Sequence, residues 1–131
     1  MKKSVLLLLV AAFIVTLFTV SCSKKKDEDN SKSYSELIVG RWKTDAAEPY
    51  YEVYNSNGTG KMWDTAEDVQ EDEADTFEWS IDANNMLTQN VHFQGSQAVV
   101  PQYCNIITLT ETTLKYNNDA LKREVTLTRV N

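Results

Sequence analysis

Apolar residues are distributed along this chain in two ways. Residues 5–20 form one run without a charge, whereas from Leu37 to Val130 apolar and polar positions alternate in short stretches rich in β-branched and aromatic residues. Alternation with a period of two marks a half-buried strand, because successive side chains leave a strand on opposite sides. The stretches fall at residues 37–44, 49–56, 58–64, 76–82, 86–93, 103–110, 112–117 and 121–130. Turn clusters separate them at intervals of about 8 to 12 residues. Asn57-Gly58 is the strongest hairpin signal, and Asp82-Ala83-Asn84-Asn85 and Asn117-Asn118-Asp119 are further turns. Apart from a short acidic turn near residues 65–73, no stretch has the spacing of an amphipathic helix. The fold class expected is all-β.

Alternation also assigns faces. Phe77, Trp79 and Ile81 share one side of their strand, with Glu78 and Ser80 on the other; Val125, Leu127 and Arg129 stand opposite Glu124, Thr126 and Thr128. Eight antiparallel strands with no covering helix must close into a barrel or stack as a sandwich, since open edges invite aggregation. Sequential hairpins in roughly 95 residues, enough for one core, favour a small antiparallel eight-stranded up-and-down barrel.

The leading run changes the setting. Lys2 and Lys3 precede it and Thr19-Val20-Ser21-Cys22 end it, giving the charged start, apolar centre and small-residue end of an export signal over residues 1–21. An uncleaved membrane anchor is the alternative, since about 20 apolar residues span a bilayer. The ending resembles the lipobox of bacterial lipoproteins, although Thr19 stands where Leu is usual. That resemblance implies lipidation of Cys22, a membrane partner through that lipid, and an outer-membrane location on the periplasmic or cell-surface face. Residues 22–35 are polar and charged and read as a flexible tether, leaving residues 36–131 as the domain. Asp27, Glu28 and Asp29 behind three lysines resemble the acidic tag that directs some Gram-negative lipoproteins outward, and also suit an ordinary solvated linker.

Removing residues 1–21 leaves 11 basic against 19 acidic residues, a formal charge of −8. Such a surface repels nucleic acid, so none is expected as a partner. If Cys22 carries lipid, Cys104 has no disulfide partner; in its strand-like context it reads as a buried, inert thiol.

Gly40-Arg41-Trp42 on the first strand resembles the Gly-x-Trp signature that opens lipocalins, and the strand pattern from Leu37 to Val130 is similar to the compact lipocalin-like domains of bacterial lipoproteins. The resemblance implies a structural signature of Gly40, Trp42 and Arg129, the arginine packing over the indole at the closed end of the barrel, with Arg123 as competitor. An indole face holds a guanidinium by about 0.5 to 2 kcal/mol, so such a pair would clamp the first strand to the last. The disulfide and terminal helix of longer lipocalins have no counterpart here.

The mature chain keeps 3 Trp, 6 Tyr and 2 Phe. An eight-stranded barrel is just wide enough to be filled by side chains or to hold one small ligand, so these residues are core or cup. Tyr51, Tyr54, Trp63, Phe77 and Trp79 are the ones placed near a ligand if a cavity exists. The run from Asp64 to Asp75 is acidic but lacks the glycine and ligand offsets of a calcium loop; it reads as a solvated loop at the rim. Asp64-Thr65-Ala66 resembles a short O-glycosylation motif, which would place a glycan on Thr65. His92 has no nucleophile or second histidine in a useful context, and no catalytic residue, metal site or cofactor is assigned. The expectation is a non-enzyme: an envelope-anchored binder of a small hydrophobic or amphipathic ligand, or a filled scaffold that meets an envelope protein or glycan through its surface.

Overall fold

The computed structural model describes residues 31–131. The export segment, Cys22 and most of the tether lie outside the described residues. Ser33–Asn131 forms one compact unit, an all-β, closed antiparallel barrel in which each strand pairs with its sequence neighbours and the last returns to the first. The strands are β1 (Gly40–Lys43), β2 (Tyr50–Tyr54), β3 (Thr59–Asp64), β4 (Asp75–Ile81), β5 (Met86–His92), β6 (Val99–Leu109), β7 (Thr113–Asn118) and β8 (Arg123–Arg129). One short helix, α1 (Tyr34–Leu37), precedes them, and single 3-10 turns at Thr65–Glu67 and Glu71–Glu73 occupy the acidic segment.

The two largest boundary differences from the sequence reading each have a local reason. Leu37 opens no strand and the tether does not run to residue 35, because Ser33 caps α1: its hydroxyl accepts from the Glu36 amide while the Glu36 carboxylate accepts from the Ser33 amide. This reciprocal cap satisfies two helix-end donors at once. β6 starts at Val99 rather than Tyr103, since Val99, Val100 and Pro101 pair with His92, Val91 and Asn90 and extend the hairpin. A bulge between Ile106 and Thr108 then returns Leu109 to the core face.

The core is the barrel interior, with Ile38, Trp42, Tyr54, Phe77, Leu87 and Leu127 among its fully enclosed side chains. Phe77, Trp79 and Ile81 face inward, as do Val125, Leu127 and Arg129, while their alternating neighbours are exposed. Gly60 faces inward opposite Phe77 because any Cβ there would collide with that ring and with the Val53 carbonyl.

One end of the barrel is plugged. Arg129, not Arg123, lies over Trp42, its guanidinium carbon 4.3 Å from the ring centroid. It donates to the carbonyls of Glu111 (2.5 Å), Val39 (2.8 Å) and Leu37. The Trp42 indole donates to the Ile38 carbonyl at 2.7 Å, so the chain entering β1 is folded back over this end. Gly40 holds φ of +139°, and its missing Cβ leaves the space that Arg129 occupies. Arg129→Ala removes three carbonyl bonds and the ring contact together. It is expected to destabilise the fold by about 2–4 kcal/mol, with Arg129→Lys recovering less than half because an ammonium cannot reproduce the planar fork; denaturant titration of the three proteins checks this.

Candidate functional site

The other end bears the molecule's unusual chemistry, and β2 supplies its centre. Tyr50, Glu52 and Tyr54 leave β2 on the inward side, opposite Asp64, Met62 and Gly60 of β3. Glu52 is 0% exposed and is the only charged side chain among the buried described residues. Its Oε1 accepts from the hydroxyls of Tyr50 (2.8 Å) and Tyr116 (2.5 Å), and its Oε2 from that of Tyr54 (2.6 Å). Gln89 donates to the Tyr54 oxygen at 2.7 Å and receives the Cys104 thiol at 3.7 Å. Residues from β2, β5, β6 and β7 thus form one connected network, in which no buried side-chain polar atom lacks a partner among the described residues.

Removing a carboxylate from water costs several kcal/mol even after relaxation, and hydrogen bonds to a charged group return about 1.5–3 kcal/mol each. Three phenols therefore hold Glu52 without an ion pair. Burial still raises its pKa above the usual 4.5, with the hydroxyl bonds opposing that rise. The same burial, reinforced by the Glu52 charge, raises Tyr50, Tyr54 and Tyr116 well above 10, and it pushes the Cys104 thiol up so that it stays protonated.

Above this network the barrel opens. A concavity of about 310 Å³ has Tyr50 and Met62 as its floor, Trp63 and Val69 at its side and Arg123 at its rim. A second, of about 360 Å³, shares Tyr50, Asp64 and Arg123 and extends past Thr44 and Glu48. The Tyr50 hydroxyl, 2.8 Å from Glu52 Oε1 and 3.4 Å from Met62 Sδ, is the layer between concavity and network. Rim segments are tied to one another: Thr65 donates to the Pro49 carbonyl (2.8 Å), the Gln94 amide to Asp75 (2.8 Å), and the Gln94 side chain to the Ala74 carbonyl (3.1 Å). The hydroxyl of the Asp64-Thr65-Ala66 motif is therefore already engaged.

The five aromatics expected to line a cavity do not gather there. Tyr51 and Tyr54 are three residues apart in one strand, so they leave it on opposite faces. Tyr54 is in the core, edge-on to Phe77 (5.3 Å) and Trp79 (5.7 Å), and Phe77 is equally enclosed. Trp79 sits at the plugged end, its indole donating to the Asn55 and Thr59 carbonyls. Tyr51 and Trp63 are a cross-strand pair on the outer face, stacked at 4.8 Å, with Arg41 and Lys61 over the indole. Glu71 of the acidic segment bridges both cations at 2.6 Å, and the hydrogen bonds from Lys61 and Arg41 hold its carboxyl below the usual range. This clamp docks the acidic segment on the barrel, where Trp63 becomes the side wall of the concavity. His92 pairs with Glu78 on the exposed face.

Glu52, Tyr50, Tyr116 and Gln89 were not assigned a role from the sequence. The signal available was a carboxylate two residues from each of two tyrosines, Tyr50-x-Glu52-x-Tyr54, on one strand face. Among the described residues no group of three or more metal-ligating side chains forms a metal site. No family model, curated protein or solved structure matches the chain.

The raised pKa of Glu52 fixes the sign of a pH effect. A carboxyl whose folded value exceeds its unfolded value contributes stability that is fully present below the unfolded value, near 4.5, and is lost as pH rises through the folded value. Wild type should therefore lose stability relative to Glu52→Gln on going from pH 4 to pH 8, a trend that melting temperatures of the two proteins across that range will display or refute.

Proposed function

We propose that this chain is a lipocalin-like lipoprotein, held to the envelope through a lipid on Cys22, that binds a small amphipathic molecule at the open end of its barrel. The difference between the two ends carries the reading. Trp42, Arg129 and Ile38 plug one end, while the other presents a concavity with an aromatic and thioether floor and a polar rim. Apolar floors with a few placed polar groups are the usual form of small-molecule sites. The interior beneath is occupied by side chains, so the ligand sits in the mouth rather than threading the barrel.

Native mass spectrometry of residues 23–131 after incubation with envelope extract should show a discrete added mass that is lost on denaturation. A protein that stays bare overturns the binding reading and favours a scaffold acting through its surface, for which the exposed Tyr103 and Ile107 of β6, with Phe93 and Val99 at the β5–β6 hairpin, are the apolar contact points.

Anchoring rests on the lipobox resemblance and has its own test. Cys22→Ser should move the protein from the detergent-extracted membrane fraction to the soluble or signal-retaining form and abolish incorporation of labelled fatty acid. Unchanged labelling would end the lipoprotein assignment.

A further inference from the structure

Glu52 is a fully buried carboxyl whose hydrogen-bond partners are all neutral. The carboxylate accepts from three phenols, and no lysine or arginine forms an ion pair with it among the described residues. A leucine or methionine of similar size would fill the interior without the desolvation cost, since buried charges are seldom better for stability than apolar side chains of equal volume. A buried ionisable group beside a cleft is the kind of feature that ligand sites carry.

Three further observations concern what could neutralise it. The path from solvent to Glu52 is one side chain deep, because Tyr50 and Met62 line the concavity and Tyr50 holds Glu52 Oε1 from that side. The walls carry Asp64, Glu67, Glu73 and Asp75 against the single cation Arg123, so the field at the mouth concentrates positive charge. The Tyr50 ring presents aromatic surface of the kind that attracts organic cations, while the Trp63 indole, stacked on Tyr51 and covered by Arg41 and Lys61, closes the side as an apolar wall. Among the described residues the Arg123 side chain forms no hydrogen bond or ion pair, which leaves it the like charge in the lining that an entering cation meets.

We propose that the open-end site takes a compact organic amine, whose ammonium group displaces the Tyr50 hydroxyl and pairs with Glu52 while its apolar part lies against Tyr50, Met62 and Trp63. An ammonium supplies three donors and a positive charge where the phenol supplies one neutral donor. This inference rests on the open-end binding reading and adds the ligand's charge class.

A matched series separates the two. Phenethylamine, 2-phenylethanol and phenylacetate share a ring and differ in charge, and each is titrated into residues 23–131, which contain the whole barrel and its plug, by calorimetry and by NMR of the Tyr50 and Met62 side chains. The amine should bind at least tenfold more tightly than the alcohol or the acid. Arg123→Gln, at an exposed position, should tighten the amine severalfold relative to the alcohol, and Glu52→Gln should weaken the amine tenfold or more. Amine and alcohol binding equally at Tyr50 and Met62 overturns the cation inference and spares the open-end site. No perturbation of those signals by any of the three overturns both. A folded Glu52→Gln protein that keeps full amine affinity removes Glu52 from the site. Should that variant fail to fold, the charge series and Arg123→Gln still decide the ligand class.

Discussion

Closure of the barrel between β1 and β8 depends on two residue pairs, Trp42 with Arg129 and Lys43 with Thr128. Other neighbouring strands share up to seven pairs, so the seam is the weakest link in the ladder. Arg129 compensates by joining parts of the chain that no ladder connects. Its guanidinium lies over the β1 indole and binds carbonyls from the segment before β1 and from the β6–β7 turn. The Gly-x-Trp arrangement follows directly: tryptophan supplies the ring, and glycine leaves room for the arginine beside it. With that end plugged, access along the barrel axis is left to the opposite end.

The interior of this small barrel departs from a purely apolar core at one level. Trp42 and Phe77 pack with aliphatic residues, whereas Glu52, Tyr54, Tyr116 and Gln89 build a polar layer that connects three strands. Such networks are demanding, because every member must be satisfied in a low dielectric. Here the geometry meets that demand, and it does so just beneath the open mouth. The acidic segment adds a second, exterior device. Glu71 bridges Arg41 and Lys61, those cations cover Trp63, and a loop that would otherwise be solvated becomes one wall of the concavity.

Much of the fold was legible in the chain because strand formation on a half-buried sheet leaves a local, period-two trace. The faces of β4 and β8 followed from it, as did the hairpin at Asn57-Gly58 and the closed eight-stranded topology. Where the trace was ambiguous the reading slipped. In Tyr50-Tyr51-Glu52-Val53-Tyr54 both parities carry aromatic or apolar groups, so alternation alone could not say which face was inside, and a one-residue shift exchanges them. Alternation there does not separate Tyr51 from Tyr54 as the inward residue. α1 leaves little trace in the sequence because a four-residue helix has no periodicity to detect and its signal, Ser33 with Glu36, lies in a polar stretch that looks like linker.

The sequence by itself determined the class of the domain, the order and pairing of its strands and the acidity of the rim, since all of these depend on local pattern or on composition; the pairing of Trp42 with Arg129 was an expectation of the Gly-x-Trp resemblance alone. Only the tertiary structure decided that Glu52 is inside. Three tyrosine hydroxyls, from residues as far apart as 50 and 116, converge on one carboxylate, and bringing them within hydrogen-bond distance requires the barrel to close with β2 in this register. A lone glutamate in a strand belongs by default to the solvent face; burial becomes affordable only when the fold delivers its partners, and no neighbour in sequence announces that it will.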